Sequence, residues 1–324
     1  MPAFAKPTVK YTYDVDTELA ALRAWRDQPD RKPPAKTGAN RLVATWNIAN
    51  LGVQKRRDKD YRLIAEIISW FDLVAVQEVA DNLAGLRAIM AHLNGWDALC
   101  SDKGGNNERA AFLYRRSRIA PTELVGEVAV PVSDQADIHV PGVDATFSGF
   151  DRNPYLAAFR AGAFTFVLVN VHLFFGGESD QEVQRRALEA YAVARWADLR
   201  RKSKNAYSKN IICLGDFNLP SRDETEPVYV ALHKRGIYLP KHGTTVPAHA
   251  NAPEVNSNIS DSSPFDQMAV VPGMKNRLSR PRPFDYDGAV FSDLFEAHGQ
   301  VVFRAYLRYY ISDHRPVWTE LKVT

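Results

Sequence analysis

Apolar residues in this chain gather in short dense blocks separated by polar stretches. Eight blocks read as strands: "RLVATWNI" (41–48), "DLVAVQEV" (72–79), "AAFLYRR" (110–116), "YLAAF" (155–159), "FTFVLVNVHLF" (164–174), "NIICLGDF" (210–217), "FDQMAVV" (265–271) and "PVWTELKV" (316–323). Two blocks carry helical spacing instead. "RLIAEIISWF" places Leu63, Ile64, Ile67 and Ile68 on one face, and "DQEVQRRALEAYAVARWADLRRK" places Val183, Ala187, Tyr191 and Ala194 on one stripe with basic residues opposite. Strands interleaved with helices predict an α/β protein. The runs at 110–116 and 155–159 follow one another with no helix between, which predicts mixed rather than purely parallel sheets. No internal repeat is evident.

Residues 1–40 differ in texture. "DVDTELAALRAWRDQ" puts Leu19, Leu22 and Trp25 on one side of a short helix, and "PDRKPPAKTGAN" reads as a Pro-rich linker. The expected organisation is therefore an N-terminal helix and linker over 1–40 and a single catalytic domain over 41–324. Two long polar loops are expected inside that domain, one over 240–264 and a basic one over 272–288.

Composition narrows the function classes only a little. The chain has 324 residues, 45% hydrophobic and 24% charged, with a formal net charge of +3, a balance that tolerates a polyanionic partner without demanding one. It has two cysteines, Cys100 and Cys213, too few for a disulfide framework. There is no apolar run of the length that spans a bilayer, and the N-terminus lacks the apolar core of a secretory signal. The expectation is a cytoplasmic protein with no membrane segment.

The strand ends carry the chemistry. "LVATWN" ends at Asn47, "LVAVQE" at Gln77 and Glu78, "FVLVNVH" at Asn170 and His172, "IICLGDFN" at Asp216 and Asn218, and "YISDHRPV" sets Asp313 and His314 just ahead of a strand. Each alone is an ordinary boundary or turn residue. Together they offer carboxylates, amides and two histidines, without a Cys or Ser nucleophile. Oxygen donors of this kind select a hard cation, Mg²⁺, Mn²⁺ or Ca²⁺, and the histidines suit proton movement or charge stabilisation.

The ordered set "WNIANLG", "VQEV", "NERAAFLYR", "RNPYLAAF", "NVHL", "GDFN", "FDQMAV" and "SDHRPV" resembles the endonuclease/exonuclease/phosphatase superfamily over about residues 41 to 322, and within it the pancreatic deoxyribonuclease branch. The resemblance implies a four-layer α/β/β/α sandwich of two packed mixed sheets. It implies that Glu78 and Asn47 hold a divalent cation, Mg²⁺ foremost, with Asp313 nearby. Asp216 and Asn218 would position water, metal and scissile phosphate, and Arg152 and Asn170 would lie on the phosphate. Glu108 would orient His172, and Asp266 would pair with His314. The implied reaction is one-step, metal-assisted hydrolysis of a phosphodiester, with His314 as base and His172 as acid or charge stabiliser, or the reverse.

The substrate-reading positions depart from that branch. There an Arg follows two residues after the metal-holding Asn, another Arg follows two after the metal Glu, and a Tyr precedes the orienting Glu by two. This chain has Ala49, Ala80 and Asn106 in those places. Minor-groove reading is therefore not carried over. The basic runs "QKRRDKDYR" (54–62) and "KNRLSRPR" (275–282) are candidate replacements if they border the site. Two readings stay open: a nuclease with nucleic acid, most plainly DNA, as its partner, and a phosphoesterase for a smaller anion such as an inositol phosphate, a phospholipid headgroup or a nucleotide. A silent binding module is disfavoured because no core position is missing.

Overall fold

The computed structural model describes residues 2–242 and 255–324, so part of the polar loop expected over 240–264 lies outside the described residues. The first half of the chain contributes α1 (Val15–Arg26), β1 (Asn40–Leu51), α2 (Asp58–Ser69), β2 (Leu73–Ala80), α3 (Ala84–Met90), β3 (Trp96–Cys100), β4 (Glu108–Arg115), β5 (Ala120–Glu127) and α4 (Val132–Gln135). The second half contributes β6 (Tyr155–Ala161), β7 (Phe164–His172), α5 (Asp180–Lys202), β8 (Ile211–Asp216), α6 (Pro227–His233), β9 (Asp266–Val270), β10 (Arg282–Pro283), α7 (Ser292–Tyr310) and β11 (Val317–Lys322).

These strands form two mixed sheets. One has the order β10-β11-β1-β2-β4-β3 and the other β5-β6-β7-β8-β9. Side-chain alternation explains why they stack. Along β1, Val43 points into the core shared with the second sheet, while Leu42, Ala44, Trp46 and Ile48 point to the opposite face. Phe112 of β4 meets Tyr155 and Phe159 of β6 across the inter-sheet core at 5.2 and 5.3 Å. Outside the first sheet lie α1, α2 and α7, through Leu22, Ile64, Ile68, Phe303 and Leu307, and α5 and α6 are buried with the second sheet. The result is the helix–sheet–sheet–helix sandwich expected from the motifs.

Among the described residues two neighbouring strand pairs run parallel, β1 with β2 and β7 with β8. Each is joined through a crossover helix, α2 or α5, and the central strands of the two sheets pack face to face. Both parallel pairs therefore deliver their C-terminal ends to one rim. That is where the polar strand ends meet.

Residues before Arg41 pack against the domain. Leu19 and Leu22 enter the core outside the first sheet, and the buried Glu18 carboxylate accepts from the Phe291 backbone N–H at 2.9 Å. Arg31 forms a buried ion pair with Asp285 at 2.7 Å, and Tyr13 donates to Asp60 at 2.8 Å. Helix α7 contains a break at Gly299, whose φ of +73° a side chain would resist. Both cysteines are free thiols, and among the described residues no helix is long and apolar enough to cross a membrane.

Candidate active site

The rim is built by backbone irregularities placed just past regular pairing. On β2 the register shifts between Val76 and Val79, and Glu78 sits there with φ of +61°. A non-glycine residue in the left-handed region is strained. Its carboxylate accepts from Asn47 Nδ2 at 3.0 Å and from the Asn50 backbone N–H at 2.7 Å. On β8, Gly215 has φ of +140°, and a Cβ there would fall 2.0 Å from the Val171 carbonyl oxygen. The glycine of "GDFN" is thus required by the close approach of β7. Register then sets Asp216 directly between His172 on β7 and Asp266 on β9. Asn218, also left-handed at φ of +49°, donates its backbone N–H to Asp216 Oδ1 at 2.8 Å and its amide to the Leu173 carbonyl at 2.7 Å.

His314 arrives from the turn after α7. The Ser312 hydroxyl donates to the Asn47 carbonyl at 2.7 Å and accepts from the backbone N–H groups of Ala49 and His314 at 3.2 and 3.0 Å. One hydroxyl therefore fixes the histidine turn to the end of β1. Trp46 adds a bond from its indole N–H to the His314 carbonyl at 2.8 Å. The outcome is a convergence on one atom. Asp216 Oδ2 lies 3.0 Å from Asn47 Nδ2, 3.7 Å from His172 Nε2 and 3.9 Å from His314 Nε2.

Each imidazole has a carboxylate behind it. His314 Nδ1 is 2.7 Å from Asp266 Oδ2, and His172 Nδ1 is 3.3 Å from Glu108 Oε2. Burial disfavours charge on the His314 ring, but Asp266, Asp216 and Asp313 outweigh it and hold the ring's pKa well above the usual histidine range. His172 is also raised: burial and the Arg152 cation oppose charging it, and Glu108 and Asp216 overcome them. Burial pushes Asp266 up to about 6 even with His314 beside it. Asp216 moves the other way. Burial works to raise it, yet both imidazoles, the Asn218 N–H and the Asn47 amide hold it below the ordinary carboxylate range.

The donor set fits a hard cation. Asn47 Oδ1 is buried and without a hydrogen-bond partner among the described residues, on the same amide whose nitrogen bridges Glu78 and Asp216. With the amide turned over, its oxygen would take the nitrogen's place between the two carboxylates, a donor set that suits a hard divalent cation. Two triplets, Glu78–Glu108–His172 and Asp216–Asp266–His314, present ligand atoms within 4.8 Å of one another.

Three expected residues have other contacts. Asn170, expected on the phosphate, donates both amide hydrogens to the Val76 and Ala111 carbonyls at 3.1 and 3.0 Å and accepts from Gln77 at 2.6 Å. It ties the two sheets together. Arg152 donates to the His172 and Leu173 carbonyls at 2.8 and 2.7 Å and pairs with Glu108 at 2.9 Å, so it braces the residues around His172. Asp313 pairs with Arg308 at 3.2 Å.

Most cations of the basic runs are engaged by the chain itself, and the one nearest the site, Arg56, is buried beneath it. Arg56 is buried and donates to backbone carbonyls of Ala49, Asn50, Tyr310 and Ile311. Arg57 pairs with Asp60, Lys59 donates to the Tyr13 carbonyl and Arg62 pairs with Asp16, all in the seam that binds the N-terminal segment. Arg277 donates to the Lys322 and Thr324 carbonyls. Lys322 pairs with Asn40, at the end of β1 away from Asn47.

Reading the sequence missed Ser312, whose role depends on spatial neighbours, and it singled out Gln77 only as a strand end, whereas its amide donates to Thr45 and Asn170. It also missed Glu189 of α5. That buried carboxylate accepts from the backbone N–H groups of Asp151 and Phe174, both at 2.9 Å, and so holds the two loops that flank His172. The alternation of helix α5 gave no signal for it beyond a polar residue among buried neighbours.

No family model matches the chain. A curated deoxyribonuclease from Thioalkalivibrio sp. (strain K90mix) is 33% identical over 196 residues, covering 58% of this chain. The chain spans about half the length of that relative, 48%. Among solved structures, an endonuclease/exonuclease/phosphatase family protein from Bacteroides thetaiotaomicron aligns with a TM-score of 0.55 at 20% identity, over 88% of this chain and 98% of the other. A mannosyl-6-phosphatase from the same organism aligns at 0.55 with 21% identity, over 86% and 98%. A 3'-5' exonuclease from Neisseria meningitidis aligns at 0.52 with 14% identity, over 87% and 99%. The architecture of this chain is thus the one those proteins share.

Proposed function

We propose that the chain is a divalent-metal-dependent phosphodiester hydrolase and that it cuts nucleic acid, DNA in particular. The observation that carries the reading is the meeting of Asn47, His172 and His314 on the single Asp216 carboxylate, with Glu78 bound to the same Asn47 amide. The deoxyribonuclease similarity supports the choice of substrate class.

Glu78 and Asn47 would hold the cation, with Asp216 adjoining and Asp313 close to His314; a bound divalent ion would neutralise charge developing on the phosphate oxygens. The remaining steps belong to the side chains. His314, its Nδ1 proton held on Asp266, takes a proton at Nε2 from the attacking water when the ring is neutral, a form that gains population as pH rises. His172, backed by Glu108, is placed to stabilise the phosphate's charge or to protonate the leaving oxygen. Asp216 and Asn218 orient the water and the phosphate between the two rings. Attack is by water, with no covalent intermediate; the Ser312 hydroxyl at the rim is held by the Asn47 carbonyl and two backbone N–H groups.

A second reading, a phosphoesterase for a small anion, is favoured by one observation: among the described residues, Arg56, Arg57, Lys59, Arg62 and Arg277 of the basic runs are all engaged by carbonyls or carboxylates of the chain. Incubation with supercoiled plasmid, linear duplex, single strand, RNA and an aryl phosphodiester separates the two, each with Mg²⁺, Mn²⁺ or EDTA. Cutting of closed circles that EDTA abolishes is expected. Turnover of the aryl ester alone would overturn the nuclease reading.

A further inference from the structure

Beside His314 the rim carries an aromatic lip. Phe265 directly precedes Asp266, and its ring centroid is 6.0 Å from the His314 imidazole. Phe175 meets Phe265 edge-to-face at 6.4 Å and is 44% exposed. An exposed phenylalanine on a slack loop would mean little, but this one is held. Arg186 of α5 is itself buried and donates to the carbonyls of Phe175 and Gly177 at 3.1 and 2.8 Å. Its other terminal nitrogen donates to the Asn218 carbonyl at 2.9 Å. Thus one guanidinium ties the loop that bears Phe175 to Asn218, whose own N–H is bonded to Asp216. The turn is tight. Gly176 has φ of +63°, and a Cβ there would fall 2.4 Å from the Phe174 ring.

We infer that Phe175, with Phe265 beside it, stacks an unpaired nucleobase of the nucleotide flanking the scissile phosphate. The inference rests on the nuclease reading above and adds to it a preference for unpaired strand. A π-face accepts any base, so such a lip gives affinity without reading sequence. A base within a duplex already stacks on its neighbours and would have to leave them to reach Phe175. The two positions where the pancreatic branch carries minor-groove arginines are here Ala49 and Ala80, both buried, so the rim favours a strand whose bases are free over an intact groove.

The test uses short single-stranded DNA in which one linkage alone can be cleaved, with the flanking bases present or removed, in Mg²⁺. For the full-length wild-type chain, kcat/KM with bases present should exceed that for the base-free strand by about tenfold, the order expected of one stacked base. Phe175→Ala should bring that ratio close to one, and Phe175→Trp should restore it. A wild-type ratio near one overturns the inference, as does an unchanged ratio in Phe175→Ala. If Phe175→Ala is poorly folded, Phe175→Trp still decides: a ratio lost with a large aromatic ring present assigns the effect to something other than stacking. Cleavage of the oligonucleotides without any base dependence overturns this inference alone. Failure of the wild type to cut any oligonucleotide, with the aryl ester turned over, overturns the nuclease reading and the stacking site together.

Discussion

The two histidine–carboxylate pairs use the same chemical groups at nearly equal distance from Asp216, 3.7 and 3.9 Å, yet they are built differently. Asp266 gives one oxygen to His314 at 2.7 Å and, among the described residues, forms no ion pair with a Lys or Arg. Glu108 stands 3.3 Å from His172 and also pairs with Arg152 at 2.9 Å. The first is a tight dyad in which a buried carboxylate holds one imidazole. The second is a shared carboxylate whose charge Arg152 partly answers. A proton is therefore held more firmly at His314, and His172 is the ring more open to influence from what binds in front of it.

That contrast can be broken by substitution. His314→Ala should lower turnover by about 10³-fold, the scale of a lost general acid–base group, with thermal unfolding little changed; an equal loss from His172→Ala would erase the distinction drawn here. Next comes the pair of partner changes, with about 10²-fold expected from Asp266→Asn and roughly tenfold from Glu108→Gln. Asp266→Asn should also shift the pH profile. Removing the carboxylate disfavours the imidazolium, so His314 loses its proton at lower pH, and the rising limb of rate against pH moves to lower pH. A limb that stays in place would assign the ionisation to another group. The smallest effect on activity is expected at Asn170, which sharpens the division between reacting and framing residues. Asn170→Leu should destabilise the fold by about 2 kcal/mol, through carbonyls and Gln77 left unpaired, with KM nearly unchanged. A large rise in KM would return Asn170 to the phosphate.

Much of this arrangement could be read from the chain because strand ends are local. Each apolar block stops at a residue that the parallel pairs then carry to one rim, so Asn47, Glu78, His172 and Asp216 announce themselves in sequence. What escaped depends on distant partners. Arg56 reads as a solvent cation until the carbonyls of α7 close around it. Arg186 reads as part of a basic face, yet it is buried against the "GDFN" loop. The helix α7 went unseen because Gly299 interrupts its pattern, and β5 went unseen because its side chains are half-exposed, with little apolar signal. Asp313 adjoins His314 in sequence and Arg152 adjoins His172 only in space, and ion pairs with Arg308 and Glu108 decide where their charges face.

The packing of the first forty residues bears on how the polypeptide can be divided. A version begun at Arg41 follows the Pro-rich break that composition suggests, yet it strips the cover from α2 and α7. Leu19 and Leu22 would leave an apolar core open to water, Asp285 would lose Trp25 and Arg31, and the Phe291 N–H would lose the Glu18 oxygen. Uncovering apolar side chains costs about 1.5–3 kcal/mol each, a large share of the roughly 5–15 kcal/mol that keeps an ordinary domain folded. The opening segment is a structural girdle, and a shortened protein lacking it should be recovered as aggregate instead of as a trimmed catalyst.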